Sequence, residues 1–365
     1  MLQGLKEVNG TVIRRYSVLT VIFLHLVFFC GAPGAAYAFI LGDSNGDNLL
    51  NLADPVYLLN HLYRGGTAPP PGARPDADCD GTVSLSDAIA LIDYFFMDGE
   101  APGAFCSWEI PAGLISQGLN EQGFAEFVHV DTGILLVLLP GGDSLMGTPE
   151  NEEDRWHDEG PLHAARLSAF LVGKYEVTQA EWEGVLGINP SFFQGETLPA
   201  GVDATNLPVE QVSWGDVVEF TVLSGLSLPS EAQWEYACRG GSGAAFAGNG
   251  VLADMGWYVE NSGGRPHTVG TRLPNAFGLF DLHGNLYEWC RDVYNEGFYS
   301  TGEAAELDPV FLGEGEYRVV RGGGWFYEPV SCRSGNRYAI SSRVNGNRRL
   351  GLRVAISLQG PVNGL

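Results

Sequence analysis

Positively charged residues are scarce in this sequence. Its 20 Lys and Arg residues face 44 Asp and Glu residues, which leaves a formal net charge of −24 at pH 7. Affinity for nucleic acid depends on Lys and Arg clusters that neutralise phosphates, so this balance argues against a nucleic-acid partner. The excess of carboxylates is compatible with secretion and with the binding of hard cations.

Several catalytic signatures are missing as well. The sequence has no HExxH metalloprotease motif, no phosphate-binding glycine loop and no GxSxG nucleophile elbow. Its histidines are scattered without metal-ligand spacing, and we expect His163 to lie on a strand in a structural role. A zinc protease, a nucleotide-binding enzyme and a serine hydrolase are therefore not indicated.

No apolar run reaches the length of about 20 residues that a membrane-spanning helix needs. The run from Val18 to Phe29 follows Arg14 and Arg15, and the small residues Ala36–Ala38 offer a cleavage site. We predict that residues 1–38 are a cleaved signal peptide and that the protein is secreted or extracytoplasmic. An uncleaved membrane anchor is the alternative.

Cysteine is also rare, with six residues in the chain. Five would remain after cleavage, and an odd number leaves at least one thiol unpaired within the chain. Cys79 could pair with Cys106, and Cys238 with Cys290, which would leave Cys332 as the odd thiol.

Two acidic stretches form an internal repeat behind the predicted signal. DSNGDNLLNLAD begins at Asp43 and DADCDGTVSLSD begins at Asp76, and each is followed by a similar apolar helical pattern. Calcium-binding loops supply oxygens from positions 1, 3, 5, 9 and 12 and from the backbone carbonyl of position 7. The predicted calcium ligands are Asp43, Asn45, Asp47, Leu49, Asn51 and Asp54 in the first loop, and Asp76, Asp78, Asp80, Thr82, Ser84 and Asp87 in the second.

This pair of loops resembles a type I dockerin, a small all-α module made of two EF-hand units that lack the incoming helix. The resemblance covers about residues 40–99, and we assign residues 39–106 to the module. It implies calcium as a cofactor and a cohesin-type or other extracellular protein as partner. The recognition positions 10 and 11 hold Leu52–Ala53 and Leu85–Ser86 here instead of the usual hydroxyl pair, which puts the cohesin partner in doubt.

The remaining sequence has few long periodic segments. Residues 107–130 are predicted as a connecting segment with a strand at its end, residues 131–358 as the large domain and 359–365 as a tail. Three capping boxes predict short helices that begin after Thr178, Ser213 and Ser230. Glycine and proline clusters separate them, so we expect an α+β fold of low regular content.

Spaced motifs in the large domain resemble the formylglycine-generating enzyme, or sulfatase-modifying factor, family. They are LVLLPGGDSLMG at 136–147, YEVTQAEW at 175–182, LPVEQVSW at 207–214, LPSEAQWEYACRGG at 228–241, NAFGLFDLHGNLYEWC at 275–290, RVVRGGGW at 318–325 and LGLRVA at 350–355. The resemblance implies a C-type-lectin-like fold with bound calcium. In DLHGNLYE it implies side-chain ligands at Asp281 and Glu288 and carbonyl ligands at Gly284 and Leu286. The alternative for Glu288 is an ion pair with an arginine such as Arg291.

The family resemblance also implies a copper ion held by two thiolates that oxidises a sulfatase cysteine to formylglycine. Soft Cu(I) prefers such ligands. Counted from Arg321 without gaps, the pair would fall at Tyr327 and Cys332. If five residues are inserted, Cys332 falls near the first position and the second lies near Asn336 or Arg337. Either alignment leaves one cysteine in this region. Cys332 is the one candidate catalytic residue, and its alternatives are a buried apolar role or an intermolecular disulfide.

Two further groups of residues leave their roles open. Arg333, Arg337, Arg343, Arg348 and Arg349 could accept a carboxylate or sulfate, or could neutralise the protein's own acidic residues. The aromatic residues Trp257, Tyr258, Trp289, Trp325 and Phe326 could line a groove or build the core.

The sequence therefore supports two readings of the large domain. It is either a relative without copper that binds protein, peptide or glycan, or an oxidase with Cys332 as the surviving ligand, in which case copper would be its cofactor. A third possibility, which rests on the dockerin resemblance, is docking into a polysaccharide-degrading assembly.

Overall fold

The computed structural model describes residues 53–64, Leu85, Ala88, Ile89, Leu91, Ile92 and 110–358. The predicted signal peptide, the tail at 359–365, Cys30, Cys79, Cys106 and every predicted loop ligand except Asp54 lie outside these residues. None of the described helices is long and apolar enough to cross a membrane.

Helices occur where the internal repeat predicts them. Helix α1 spans Ala53–Arg64, and the five described residues between 85 and 92 are also helical. Leu58 and its repeat equivalent Leu91 are both fully buried, whereas Val56 and Ile89 are exposed by 57% and 48%. The two segments thus bury matching faces. Asp54, the last ligand position of the first loop, is buried at the start of α1.

Three sheets form the frame of the large domain. A five-stranded antiparallel sheet has the order β1-β2-β3-β6-β11, with strands Leu114–Leu119, Ala125–His129, Leu135–Leu139, Phe170–Gly173 and Ala355–Ser357. A four-stranded sheet has the order β10-β7-β8-β9, with strands Leu350–Leu352, Tyr287–Val293, Tyr317–Arg321 and Tyr338–Ser341, and only its β10–β7 pair is parallel. Strands β4, Gly142–Met146, and β5, His163–Leu167, form a two-stranded sheet, and His163 opens β5 as expected.

The three capped helices are confirmed. Helices α2 (Gln179–Leu186), α3 (Trp214–Ser224) and α4 (Glu231–Arg239) begin after Thr178, Ser213 and Ser230, and each has a complete capping box. All three end at a left-handed glycine, the residue that adopts this conformation without a steric penalty. The short helix α5 spans Leu252–Met255. Five short 3-10 segments occupy His157–Glu159, Gly195–Thr197, Phe298–Ser300, Glu303–Ala305 and Pro329–Cys332.

The predicted connecting segment contributes to the large domain from Leu114 onward. Both β1 and β2 lie in it, and β2 pairs with β3 over Glu126–Val128. Lys174 contacts Glu126 at 2.7 Å, and Phe124 packs edge-on against Phe277. These contacts join sequence positions far apart, which local patterns do not reveal.

The core consists mainly of aliphatic and aromatic side chains on both faces of the larger sheets. Trp182, Trp234 and Trp289 are almost completely buried, and Trp182 stacks on Phe220 with ring centroids 4.9 Å apart. Burying such side chains contributes roughly 1.5–3 kcal/mol each. The expected α+β architecture of the large domain is confirmed.

Candidate functional site

Cys332 ends the 3-10 segment Pro329–Cys332 and is fully buried. Its side chain lies in a cluster with Leu252, Tyr258 and Phe246. The backbone of Gly323 passes so close that a Cβ there would stand 2.5 Å from the Cys332 Sγ. Burial raises the pKa of the Cys332 thiol to about 12, so the thiolate, which is the nucleophilic and metal-binding form, is not available near neutral pH.

The partner position of the expected thiolate pair does not hold a cysteine. Tyr327, at the ungapped position of the missing cysteine, packs edge-on against Tyr287 with ring centroids 4.8 Å apart. Cys238 and Cys290, the other cysteines within 110–358, are buried free thiols, so the disulfide between them that the sequence allowed is not formed. The described residues around Cys332 do not fit a two-thiolate copper site.

His283 holds the backbone of Cys332 in place. The Nε2 atom of His283 accepts from the Ala247 backbone N–H at 3.1 Å, so Nδ1 donates to the Cys332 carbonyl at 2.8 Å. Burial lowers the pKa of His283 to about 4, which keeps the ring neutral. This histidine therefore ties two chain segments together, a role that its isolated position in the sequence did not indicate.

The predicted calcium ligands of the large domain lie in a buried turn. Asp281 accepts from the Gly270 N–H at 2.7 Å through Oδ2, while its Oδ1 meets no donor among the described residues. The Gly284 backbone approaches Trp257 so closely that a Cβ atom at position 284 would stand 2.4 Å from the backbone carbonyl oxygen of Trp257. The Leu286 N–H donates to Glu176 at 2.9 Å.

The carboxylate of Glu288 is already neutralised. It pairs with Arg353 at 2.9 Å and accepts from the Trp234 indole N–H at 2.6 Å. Glu288 therefore forms an ion pair with an arginine, which was the alternative to calcium binding. The arginine is Arg353 and not Arg291, the example given from the sequence. No cluster of three or more acidic, histidine or cysteine side chains with metal-binding geometry occurs in the part of the chain that the structure describes. Calcium at Asp281, Gly284, Leu286 and Glu288 stays a prediction.

Of three buried carboxylates near this turn, only Glu288 contacts the Arg353 guanidinium, whereas Glu176 and Asp281 interact with its charge without contact. Burial, followed by the charges of Asp281 and Glu288, raises the pKa of Glu176 well above its usual value. Burial also raises the pKa of Asp281 to about 6. The sequence reading missed Glu176 and Arg353 as partners of this turn, although both lie in quoted motifs, because nothing local links positions so far apart.

The arginine cluster of the C-terminal region divides into two groups. Arg333 is buried and pairs with Glu152 at 2.7 Å and with Glu159, and Arg337 is buried and pairs with Glu231 at 2.7 Å. These two side chains neutralise the protein's own acidic residues. Arg343, by contrast, is 80% exposed, and its contact with Glu316 is 3.6 Å long.

The remaining two arginines of that cluster lie on aromatic rings. The Cζ atom of Arg348 is 3.3 Å from the ring centroid of Phe192, and that of Arg349 is 3.5 Å from the ring centroid of Phe326. We call Phe192, Phe326, Arg348 and Arg349 the arginine–aromatic surface. The sequence reading did not find Phe192, whose position in PSFFQG carries no recognisable signal.

The aromatic residues proposed for a groove have different environments. Trp289, Trp325 and Tyr258 are buried and belong to the core, whereas Phe326 is 47% exposed. Trp257 is half-buried and stacks on His267 with ring centroids 3.6 Å apart. Only part of this set is therefore accessible to a ligand.

An open depression of about 700 Å³ lies elsewhere, between β4, β5 and residues 305–307. Leu145 and Leu307 expose apolar surface there, and Arg166 pairs with Asp143 at 3.0 Å. No histidine or cysteine lines this depression, so it is separate from Cys332.

Comparison with known proteins identifies the large domain. The sulfatase-modifying factor enzyme 1-like domain matches residues 127–358, which is more than half of the chain. The chain belongs to this family. The formylglycine-generating enzyme of Thermomonospora curvata is 28% identical over 267 residues, covering 57% of this chain and 87% of that enzyme. The chaperone protein LppX of Paenibacillus barcinonensis is 29% identical over 218 residues, covering 44% of this chain and 70% of that protein.

Two solved structures share the fold of this family member. Treponema denticola variable protein 1 is 28% identical with a TM-score of 0.54, and the match covers 61% of this chain and 95% of that one. PvdO from Pseudomonas aeruginosa is 29% identical with a TM-score of 0.54, covering 62% and 95%. Family membership fixes the domain type, while its activity depends on the site residues.

Proposed function

We propose that this protein is a secreted, calcium-binding two-module protein whose large domain binds protein, peptide or glycan and does not oxidise cysteine. The burial of Cys332 carries this proposal. A thiol with a pKa of about 12, with Tyr327 at the partner position in place of a cysteine, is unsuited to hold Cu(I). The arginine–aromatic surface supports the binding role, because its two guanidinium groups stack on rings and make no direct contact with a carboxylate among the described residues.

Relatives named formylglycine-generating enzyme favour the rival function, an oxidase that converts a sulfatase cysteine to formylglycine. The full-length chain, supplied with Cu(I), oxygen and a peptide containing CxPxR, tests both readings, with the Thermomonospora curvata enzyme as positive control. We expect no peptide aldehyde by mass spectrometry and no copper retained after dialysis.

The variants Cys332→Ser and Cys290→Ser form a matched pair, since both replace a buried free thiol. We expect neither to change the copper content. Aldehyde formation that disappears in Cys332→Ser and persists in Cys290→Ser would establish the oxidase and refute the binding proposal.

Residues 39–106 are proposed to bind two calcium ions through the loops that begin at Asp43 and Asp76, and a cohesin-type or other extracellular partner is proposed for this module. The matching burial of Leu58 and Leu91 supports two equivalent units. By calorimetric titration of the full chain, we expect the double substitution Asp43→Ala and Asp76→Ala to abolish binding of both ions, because each removes the first ligand of its loop.

Asp143→Ala is the control for this titration, since Asp143 is an exposed acidic residue of the large domain. A further ion that is lost in Asp281→Asn would assign the calcium site predicted at Asp281–Glu288. Unchanged stoichiometry in the double variant would contradict the proposed module.

A further inference from the structure

Arg348 and Arg349 differ from the buried arginines of this domain because neither forms a direct ion pair among the described residues. Arg239, Arg321, Arg333, Arg337 and Arg353 all form buried ion pairs. Within 110–358, neither Arg348 nor Arg349 forms an ion pair with a carboxylate, although acidic residues outnumber basic ones in the sequence by 44 to 20. Burial raises the pKa of the Glu210 carboxyl, and the charge of Arg348 lowers it against this larger effect. Neither guanidinium contacts a carboxylate directly within this range, so both keep N–H donors for a ligand.

Stacking on aromatic rings orients both guanidinium groups so that they can bind a planar anion such as a carboxylate. Each group covers one ring face, Phe192 for Arg348 and Phe326 for Arg349. A stacked guanidinium still directs its N–H donors outward in its own plane, where a carboxylate can accept two of them in parallel. The rings thus restrict the arginine side chains without consuming their donors.

The loop that carries the two arginines is held by its own backbone. The Trp325 indole N–H donates to the Arg348 carbonyl at 2.9 Å, and the Tyr287 N–H donates to the Arg349 carbonyl at 2.9 Å. Gly346 packs so tightly on Gln211 that a Cβ would stand 2.0 Å from a backbone carbon. A loop that is already ordered lowers the entropic cost of binding a ligand.

The buried carboxylate of Glu210 fixes the segment that carries Phe192. Glu210 is fully buried, and its Oε1 accepts from the Phe193 N–H at 2.8 Å. Phe193 in turn packs edge-on against Trp325 with ring centroids 5.5 Å apart. The segment that carries Phe192 and the one that carries Phe326 therefore share one apolar cluster, which fixes the two stacked pairs relative to each other.

From this geometry we propose that the arginine–aromatic surface binds a short acidic peptide segment of a partner protein, in which two carboxylates pair with Arg348 and Arg349. The inference rests on the proposed binding function. A short segment is favoured over a long polyanion such as a sulfated polysaccharide, because the net charge of −24 repels an extended negative chain. Local carboxylate–guanidinium pairs act within the screening length of about 8 Å at physiological salt.

An array of nine-residue peptides tests this proposal on the full-length protein. Each peptide contains two Asp or Glu residues, and its counterpart with Asn or Gln is printed beside it. We expect the acidic members as a group to bind more strongly, and we expect the double substitution Arg348→Gln and Arg349→Gln to weaken the best of them roughly tenfold. The amide counterparts should be unaffected by the double substitution.

Arg343→Gln is the matched control, because Arg343 lies on the same loop and is 80% exposed. It should leave the binding of acidic peptides unchanged, and thermal unfolding of every variant excludes misfolding. Equal binding of acidic and amide peptides, or acidic binding that persists in the double variant, overturns the proposal. Binding of a heparin-like oligosaccharide that requires Arg348 and Arg349, without preference for acidic peptides, overturns it in favour of a glycan.

The two proposals fail in distinguishable ways. Copper retention with aldehyde formation would refute the binding function itself. Absence of both, combined with no preference for acidic peptides, would refute only the inference about the arginine–aromatic surface.

Discussion

Substitution of Arg321 by methionine is expected to lower the free energy of unfolding by about 3–5 kcal/mol. Arg321 lies on β8 and is completely buried. Its guanidinium pairs with Glu235, lies 3.6 Å from Glu231 and donates to the carbonyls of Gly335, Ser334 and Asn336. Methionine fills much of the volume but leaves buried carboxylates and carbonyls without donors, and such groups are costly when unsatisfied.

Chemical denaturation of the full chain, followed by tryptophan fluorescence, measures this effect. Arg166→Met is the matched control because the Arg166–Asp143 pair is 3.0 Å long but its side chains are 45% and 65% exposed. An exposed pair contributes at most about 1 kcal/mol. Equal losses in the two variants would contradict the assignment of Arg321 as a central residue of the buried ion-pair network.

Stability is expected to fall as the pH rises from mildly acidic to mildly basic values, and the buried carboxyl of Asp292 contributes to this fall. Burial, followed by the charge of Glu231, raises the pKa of this carboxyl to about 7. The folded protein thus holds a proton that the unfolded chain releases at an ordinary aspartate pKa. This proton stabilises the fold fully at pH values below the pKa that Asp292 has in the unfolded chain. The stabilisation is lost as the pH rises through the pKa of Asp292 in the folded protein.

From these pKa values we expect Asp292 to contribute a loss of about 2–3 kcal/mol in the free energy of unfolding between about pH 5 and pH 8. Denaturation curves at several pH values measure it. Asp292→Asn removes the titration, so its stability should depend less on pH by that amount. The variant is also expected to be less stable throughout, because Asp292 accepts from the N–H groups of Glu231 and Phe311 through separate oxygens. An unchanged pH dependence would refute the role of Asp292.

The sequence by itself determined the local features of this protein. The capping boxes at Thr178, Ser213 and Ser230 predict three helix starts correctly because each side chain bonds an amide only three residues away. The ordered motifs between 136 and 355 indicate the family. The repeat matches Leu58 with Leu91, which are both buried, but it also matches Val56 with Ile89, which are both exposed. Capping boxes act within one helical turn, and repeats and motif order are visible in the sequence without knowledge of the fold.

Only the tertiary structure decided how distant residues pair. It joins Glu288 to Arg353, buries Cys332 beneath Gly323, and separates the buried Arg333 and Arg337 from Arg348 and Arg349. Members of one short arginine-rich stretch thereby receive different environments, as internal counterions and as guanidinium groups stacked on aromatic rings. The reason is physical: burial, pKa and ion pairing depend on which segments the sheets bring together, and adjacency along the chain does not specify that.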